Sequence, residues 1–467
     1  MALGKCTRRG FLKAAGFGAV ALAVSPACGA PSATDRGDTA GPPNVVLIFM
    51  DDQGYQDVGC FGSPNIRTPN LDRMADEGMR FTDFYSAASI CSPSRAALLT
   101  GCYPPRVGIT KVLFPRDNIG LNPNEVTIAD LLKAQGYATA CIGKWHLGHL
   151  PEFLPTNNGF DSYFGIPYSN DMDKVKGTNT NLDRAWRQKD FSPWNVPLMR
   201  NEEIIERPAD QTKLIDRYTE EATKFIRDHR RSPFFLYLPH TMPHIPLFVS
   251  DRFYQENPQE AYKVTIEQID WSVGQVLQAL KDAGVDRRTL VIFTSDNGPW
   301  LSMKHHGGSA LPLRDGKFSV YEGGMREPCI MRWPDRIPAA TVCRELASTI
   351  DLLPTIAGLT GGSLPADRVI DGRDIWPLMA GRSRAKTPHD AYYFYRGNNL
   401  QAVRSGKWKF VRQKEPQLYD LEQDIREKRN VAGEHPRVVQ RLTEMMSEFD
   451  QRLKVTKRPA GMVAREQ

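Results

Sequence analysis

The stretch NVVLIFMDD, residues 44–52, is an unbroken run of apolar residues closed by two adjacent acids. A short continuous apolar run of this kind is typical of a strand that is buried on both faces, as in a parallel sheet. Both faces of such a sheet must be covered, and helices usually cover them. The stretch therefore predicts an α/β fold, and the acids mark the carboxyl end of a central strand.

The same rhythm of helix followed by apolar strand recurs along the chain. An amphipathic helix is predicted in TPNLDRMADEGMRFTDFY, and TIADLLKAQGYATACIGKWH reads as a helix closed by Gly136 and then a strand. YTEEATKFIRDH precedes PFFLYLPH, and TIEQIDWSVGQVLQALKDAG precedes TLVIFTSDNG. This alternation predicts a large, doubly wound, mostly parallel sheet with helices on both faces, over residues 44–385.

From residue 386 to residue 467 the pattern changes. AYYFYR, LQAVRSGKWKFV and QLYDL are short alternating segments separated by tight turns, and PRVVQRLTEMMSEFDQRL follows as a helix. Alternation of apolar and polar residues is typical of an antiparallel sheet with one buried face. We predict a small C-terminal subdomain made of this sheet and one packed helix.

Residues 1–30 resemble an export signal. Arg8 and Arg9 precede a short Ala/Gly/Val run that is too short for a confident membrane span, which is typical of a twin-arginine (Tat) signal. Cys28 is a candidate lipidation site, and a plain cleavage after Ala27 is the alternative. Residues 31–43 read as a linker. These features predict a bacterial protein that is exported to the periplasm or the cell exterior, including the outer membrane, with at most a lipid anchor as its membrane attachment.

Net charge and cysteine usage limit the classes of partner and site that fit this chain. The net charge of +6 is spread over 467 residues without a basic block, so nucleic acid is not an expected partner, whereas an anionic substrate suits the positive field. Eight cysteines are scattered without CxxC pairs, which argues against a zinc knuckle or a disulfide framework.

Polar residues follow four of the predicted strands. Ligands of open α/β sheets collect beyond the carboxyl ends of the strands. An adjacent acid pair and an Asp-Asn pair supply carboxylate and amide oxygens, which favour Ca²⁺ or Mg²⁺ over zinc. The residues at the four strand ends are Asp51 and Asp52, Lys144 and His146, His240 and His244, and Asp296 and Asn297.

Positive side chains accompany this oxygen-rich set. Lys144 and His146 are two residues apart, so they point to one side if the segment is extended. Arg95 follows Cys91 by four, which places both on one face of a helix, and Lys317 lies in a glycine-flanked loop. Cations beside a metal suit a tetrahedral oxyanion. From the residues alone, Cys91 remains a core thiol, half of a disulfide, a nucleophile or a site of modification.

Several blocks of the sequence resemble type I sulfatases of the alkaline-phosphatase superfamily, with the arylsulfatase A branch as the nearest pattern. The blocks include NVVLIFMDDQGYQDVGCFG, CSPSRAALLTG, GKWHLG, SDNGPW and GKFSVYEGGMREPCIMRWP, and they run in order from about residue 43 to about residue 430. CSPSR matches the C-x-P-x-R pattern read by sulfatase-maturing enzymes. The resemblance implies that a formylglycine-generating or an anaerobic maturing enzyme oxidises Cys91 to Cα-formylglycine.

The resemblance also implies a reaction and roles for the residues. The hydrated aldehyde attacks a sulfate monoester, releases the alcohol, and then collapses to expel sulfate. The implied metal ligands are Asp51, Asp52, Asp296, Asn297 and residue 91, with Ca²⁺ the usual ion and Mg²⁺ the alternative. Arg95 and Lys144 hold the diol, His146 is the base for collapse, Lys317 and His244 bind sulfate and protonate the leaving oxygen, and Ser169 is a further contact. His240 competes with His244 for its role, and the segment HIPL, which resembles the family's His-x-Pro pattern, favours His244.

Alternatives remain open at this stage. A phosphonate or phosphate monoester hydrolase of the same superfamily would share the fold and the oxyanion site, and a non-catalytic binder of sulfated glycans would keep the fold alone. His305 and His306 either read the organic part of the substrate or are solvated loop histidines. The expected substrate is a small aryl sulfate or a sulfated glycan.

Overall fold

The computed structural model describes residues 41–464. The predicted export signal with Cys28, and the linker up to residue 40, lie outside the described residues. Seventeen strands are present in the described part: β1 Asn44–Met50, β2 Met79–Tyr85, β3 Ile119–Gly120, β4 Ala138–Ile142, β5 Ser162–Gly165, β6 Leu198–Arg200, β7 Glu203–Glu206, β8 Phe234–Pro239, β9 Thr289–Ser295, β10 Arg326–Arg332, β11 Thr341–Cys343, β12 Ala347–Ser348, β13 Tyr392–Arg396, β14 Asn399–Ser405, β15 Trp408–Val411, β16 Gln417–Asp420 and β17 Gly461–Met462.

Ten α-helices accompany these strands within residues 41–464. They are α1 Pro69–Asp76, α2 Cys91–Thr100, α3 Ile128–Lys133, α4 Leu182–Gln188, α5 Leu214–Asp228, α6 Ala261–Asp282, α7 Glu322–Met325, α8 Leu352–Thr360, α9 Trp376–Met379 and α10 Pro436–Thr456. No helix of the described chain is long and apolar enough to cross a membrane.

One large sheet forms the centre of the molecule. Its strand order is β11-β2-β10-β9-β1-β8-β4-β5-β6-β7, and β12 pairs with β2 as an eleventh strand of the described chain. The central strands β9, β1, β8, β4 and β5 are mutually parallel, whereas β10, β6 and β7 join their neighbours in antiparallel orientation. The predicted large, mostly parallel α/β sheet is confirmed.

Strand β1 is buried on both faces, as its continuous apolar sequence predicts. Val46, Ile48 and Met50 pack on one face with residues of α1, α5 and α6. The alternate residues Val45 and Leu47 pack on the other face with residues of α2, α3 and α8. Because successive side chains of a strand point to opposite faces, the two helical layers follow directly from the sequence of β1.

The C-terminal segments form the predicted second sheet. β13, β14, β15 and β16 are antiparallel in sequence order, and α10 packs against them. Phe449 of α10 stacks on Tyr393 of β13 with ring centroids 3.8 Å apart. The same apolar cluster includes Tyr85 and Ala97 of the large α/β region, so the small sheet packs beside β2 and α2.

Candidate active site

The two acid pairs meet because their strands are neighbours in register. β1 and β9 are parallel, with Met50 opposite Ser295, so Asp51-Asp52 and Asp296-Asn297 leave the sheet side by side. The backbone N–H of Asp52 donates to Asp296 Oδ1 at 3.2 Å, and Asn297 Nδ2 donates to Asp52 Oδ1 at 2.7 Å. All four side chains are buried. Thus the structure brings together the oxygen set that the sequence predicts.

Cys91 is the first residue of α2 and is only 2% exposed. Its thiol donates to Asp51 Oδ1 at 3.5 Å, and Lys317 Nζ lies 3.7 Å from Sγ. Burial, reinforced by the charge of Asp51, raises the pKa of the Cys91 thiol well above its ordinary value. A thiol held in its neutral form is a weak nucleophile.

Arg95 lies one helical turn after Cys91, as the spacing predicts. Its Nε and Nη2 donate to Asp296 Oδ2 at 3.0 and 2.8 Å, and Nη1 donates to the carbonyl of Lys144 at 2.8 Å. A guanidinium that is fully buried must be paired in this way. Arg95 therefore ties α2 to the ends of β9 and β4.

Two lysines complete the positive side of the site. Lys144 Nζ donates to Asp51 and to Ser169 Oγ, the latter at 3.0 Å. Lys317 Nζ donates to Asp52 at 2.7 Å and lies 4.6 Å from the ring centroid of Trp300. Burial alone would lower the pKa of Lys317, but Asp52 and the neighbouring groups raise it above its ordinary value, so the ammonium remains charged.

His244 lies inside this cluster, whereas His240 does not contact it. His244 Nε2 is 3.6 Å from Asp52 Oδ2, and Nδ1 is 3.4 Å from Ser169 Oγ and 2.6 Å from the carbonyl of Ile245. His240 instead places Nε2 3.3 Å from Ser272 Oγ of α6. Of the two histidines that follow β8, geometry therefore favours His244.

His146 departs from the expectation of an extended segment. Its backbone φ is +60°, so the segment is not extended at His146 and the alternation of a strand does not describe it. Its Nε2 lies 2.9 Å from the carbonyl of Leu113, which can only accept, so Nε2 carries the proton and Nδ1 is an unpartnered acceptor among the described residues. Burial and the charge of Lys144 lower the pKa of His146.

The residues present fit a divalent cation. Asn297 Oδ1 is buried and accepts no hydrogen bond from any described residue, although the Nδ2 of the same amide donates to Asp52 Oδ1. Burial, followed by the charge of Asp51, raises the pKa of Asp296 to about 7. Nearby positive groups, chiefly Lys144, hold the pKa of Asp51 below its ordinary value despite burial. An orphaned amide oxygen among crowded carboxylates is the donor set of a hard cation.

The family model described as Sulfatase matches residues 43–363, and one described as N-sulphoglucosamine sulphohydrolase, C-terminal, matches residues 314–455. This chain belongs to the sulfatase family. The sulfatase is 40% identical to arylsulfatase A of Homo sapiens over 449 residues, which cover 87% of each chain. It is 42% identical to N-acetylgalactosamine-6-sulfatase of Mus musculus over 381 residues, covering 79% of this chain and 71% of the relative.

A solved structure shows the same fold. The crystal structure of Ps i-CgsB in complex with k-i-k-neocarrahexaose superposes with a TM-score of 0.77 at 32% identity, covering 88% of the sulfatase and 93% of that chain. The expected resemblance to arylsulfatase A and its superfamily is thereby confirmed. The sulfatase is a sulfuric ester hydrolase that acts on sulfate monoesters, so neither the phosphonate hydrolase nor the non-catalytic binder is needed to explain the site.

The site of the sulfatase contains residues that sequence reasoning missed. Glu327 is fully buried in β10, with Oε1 3.4 Å from Ser86 Oγ and Oε2 without a partner in the described chain, and burial raises the pKa of its carboxyl. Gln53, next to Asp52, is buried with both amide atoms unpartnered by described residues. An acid inside the apolar strand REPCIMR was a readable signal for Glu327. Gln53 carried no such signal.

Histidines 305 and 306 are not solvated loop residues. Both rings contact Asp183 of α4, at 2.8 Å in each case. His306 is buried, and His305 is partly exposed. None of their hydrogen bonds reaches the Cys91 cluster.

Proposed function

We propose that this sulfatase hydrolyses carbohydrate or aryl sulfate esters with residue 91 in its formylglycine form and Ca²⁺ in the oxygen-rich set. The observation that carries the proposal is the position of the Cys91 side chain. It lies between a carboxylate, Asp51, and a charged lysine, Lys317, at the start of α2, where a thiol is held neutral. The site thus has the charges for a sulfate ester but a poor nucleophile in unmodified cysteine.

A formylglycine at position 91 would supply, as its hydrate, one hydroxyl that attacks sulfur and a second hydroxyl whose deprotonation allows sulfate to leave. Arg95 fixes α2 relative to Asp296, so residue 91 has a defined position. Lys144, bonded to Asp51 and Ser169, adds positive charge beside it. These residues orient residue 91 and stabilise negative charge on its oxygens.

Ca²⁺ would be held by Asp51, Asp52, Asp296 and Asn297, together with an oxygen of residue 91, and would supply positive charge to the sulfate oxygens. Mg²⁺ is the alternative ion for the same oxygen ligands. The orphaned Asn297 Oδ1 supports this assignment.

Two histidines are positioned to move protons. The carbonyl of Ile245 accepts from His244 Nδ1, so Nε2 is the atom that faces Asp52 and Lys317. With Nδ1 already protonated, a second proton on Nε2 makes the ring an imidazolium, and Nε2 would pass this proton to the leaving oxygen. His146 has Nε2 committed to Leu113, so its unpartnered Nδ1 would accept the proton that accompanies sulfate release. Its lowered pKa keeps the ring neutral and able to accept. Lys317 and Ser169 would hold the sulfate oxygens.

For the substrate, we propose a sulfated glycan, or a small molecule with the same sulfate ester. The solved structure with k-i-k-neocarrahexaose contains an oligosaccharide, and the mouse relative is named for an amino sugar sulfate. For the cellular context, we propose Tat export, maturation by a formylglycine-generating or an anaerobic maturing enzyme, and a periplasmic or extracellular location. Arg8-Arg9 and CSPSR support these assignments, and Cys28 is the candidate lipid attachment point.

The proposal is tested by mass spectrometry of the peptide containing residue 91, from protein produced in its own host. We expect formylglycine in place of cysteine. Cys91→Ala should abolish hydrolysis of a chromogenic aryl sulfate, whereas the control Cys343→Ala, at an edge strand, should retain it. Unmodified cysteine in active protein, or substantial activity of Cys91→Ala, would contradict the proposal.

A further inference from the structure

Three side chains outside the active site converge on one point. Asp183 lies in the first turn of α4, and His305 and His306 lie in the turn Leu301–His306 that follows Trp300. Nε2 of each histidine is 2.8 Å from the same oxygen, Asp183 Oδ1. The three ligand atoms all lie within 4.8 Å of one another. The two histidines are 122 and 123 positions after Asp183 in the sequence, and the fold brings both of them to one oxygen atom.

The hydrogen bonds within this cluster leave one polar atom unused. If both Nε2 atoms donate to Asp183, the neutral His306 ring has Nδ1 as its acceptor, and this buried atom has no partner in the part of the chain described. Neutral imidazole and ionised carboxylate are the forms that bind metal ions.

We propose that Asp183, His305 and His306 form a binding site for a divalent transition metal of the zinc class. Two imidazole nitrogens and one carboxylate oxygen are the donors that suit such a metal, in contrast to the all-oxygen protein set around Asp51. The side chains of His305 and Asp183 are 26% and 35% exposed, so solvent can reach the site and supply a fourth ligand. On binding, the proton of each ring moves from Nε2 to Nδ1 through solvent, and the metal takes the place of the two hydrogen bonds to Asp183.

The position of the site gives the metal a structural effect. Trp300, directly before the histidine turn, lies 5.6 Å from the His244 ring and 4.6 Å from Lys317 Nζ, measured to ring centroids. Metal bound at the cluster therefore cross-links the segment leaving the active site to α4. The metal thereby restricts the position of Trp300, which lies beside His244 and Lys317, without contacting the sulfate-binding residues itself.

Cobalt provides a direct test, because tetrahedral Co²⁺ with nitrogen ligands absorbs strongly in the visible range and octahedral, oxygen-bound Co²⁺ absorbs weakly. Chelator-treated full-length protein is first refilled with Ca²⁺ and then titrated with Co²⁺. We expect an intense band that saturates at one equivalent and disappears when Zn²⁺ is added. Binding is measured without substrate, so the result is independent of the proposed catalytic roles.

The test variant carries both His305→Gln and His306→Gln. Its matched control is His229→Gln, which changes a histidine at the end of α5. Glutamine still donates to Asp183 but is a poor metal ligand. The double variant should lose the band, and the control should keep it. If the double variant does not fold by circular dichroism, Asp183→Asn takes its place. No intense band in the wild-type protein, or an unchanged band in the ligand variants, would overturn the proposal.

Discussion

His240 and His244 are four positions apart in the segment after β8 and have different surroundings. His244 contacts Ser169 and adjoins Asp52, whereas His240 contacts Ser272 of α6. Both rings are buried, so burial alone does not mark the functional one. At the scale of single residues, what separates them is which charged groups each ring faces.

This difference predicts opposite effects on activity. His244→Gln should lower kcat for an aryl sulfate by about 10²–10⁴-fold, because a general acid is removed. His240→Gln should leave kcat within about threefold, since its ring lies against Ser272 and Tyr218 and not against the charged groups of the site. The check is steady-state kinetics on both variants at matched metal loading. Equal losses in the two variants would contradict the assignment of His244.

His240 also predicts a pH dependence of stability. Burial lowers the pKa of His240 from 6.5 to about 3, so between these values the unfolded chain binds a proton that the folded chain does not. Stability therefore falls as the pH drops below 6.5, by about 2 kcal/mol between about pH 7 and about pH 5 for this group. Urea unfolding of wild type and His240→Gln at the two pH values should show a smaller acid loss in the variant. A parallel loss in both would refute this.

At the scale of elements, the ends of three neighbouring strands are packed without room for a side chain. Gly143, just after β4, has φ +134°, and an added Cβ would lie 1.9 Å from the carbonyl oxygen of Pro239 in β8. Gly165 of β5 would place a Cβ 1.8 Å from the carbonyl oxygen of Gly143. This close approach lets Lys144 N–H bond to Pro239, which fixes the lysine beside Asp51.

Gly143→Ala should therefore be costly. We expect a loss of at least about 3 kcal/mol in the free energy of unfolding, from backbone strain and steric overlap. Folded variant should also lose about 100-fold in kcat, because Lys144 is displaced. The control is Gly136→Ala, which has positive φ but nothing within 4 Å, and should cost about 1–2 kcal/mol with unchanged kcat. Similar losses at both glycines would argue against the packing effect.

At the scale of the whole molecule, a buried ionic group joins the C-terminal sheet to the large sheet. Lys409 of β15 is fully buried, with Nζ 2.8 Å from Glu322 Oε1 and 3.0 Å from Glu427 Oε1. Glu322 begins α7, which directly precedes β10 of the large sheet. Arg404 of β14 pairs in the same way with Asp83 of β2, at 2.7 Å. The contact between the two sheets thus depends on paired charges as well as apolar packing.

Removing one partner should leave the others uncompensated. Lys409→Met is expected to lower the free energy of unfolding by about 3–5 kcal/mol, since Glu427 loses its buried cation and Glu322 keeps only Arg326 as an ion-pair partner among the described residues. Adding Glu322→Gln and Glu427→Gln should recover part of this loss, because the unpaired charges are then gone. Denaturant unfolding of the single and triple variants provides the comparison. A single variant as stable as wild type would show that the pair contributes nothing to the packing of the two sheets.

The sequence by itself determined the fold class, the small C-terminal sheet, the oxygen set after β1 and β9, and the face shared by Cys91 and Arg95. These features depend on periodicity and on neighbours within a few residues, and strand and helix geometry converts such spacing into direction. The resemblance of several sequence segments to sulfatases added the expectation of a formylglycine at position 91, which remains a proposal.

Only the tertiary structure decided which carbonyl holds His146 and which acid receives His305 and His306. For the two histidines after β8, it agrees with the preference for His244 that the HIPL pattern had given. It also placed Lys409 between Glu322 and Glu427. Each of these contacts joins segments whose meeting depends on how helices and loops pack, and burial decides whether a polar group must find a partner. Local sequence patterns report which face of an element is buried, but they carry no information about which distant side chain will be opposite.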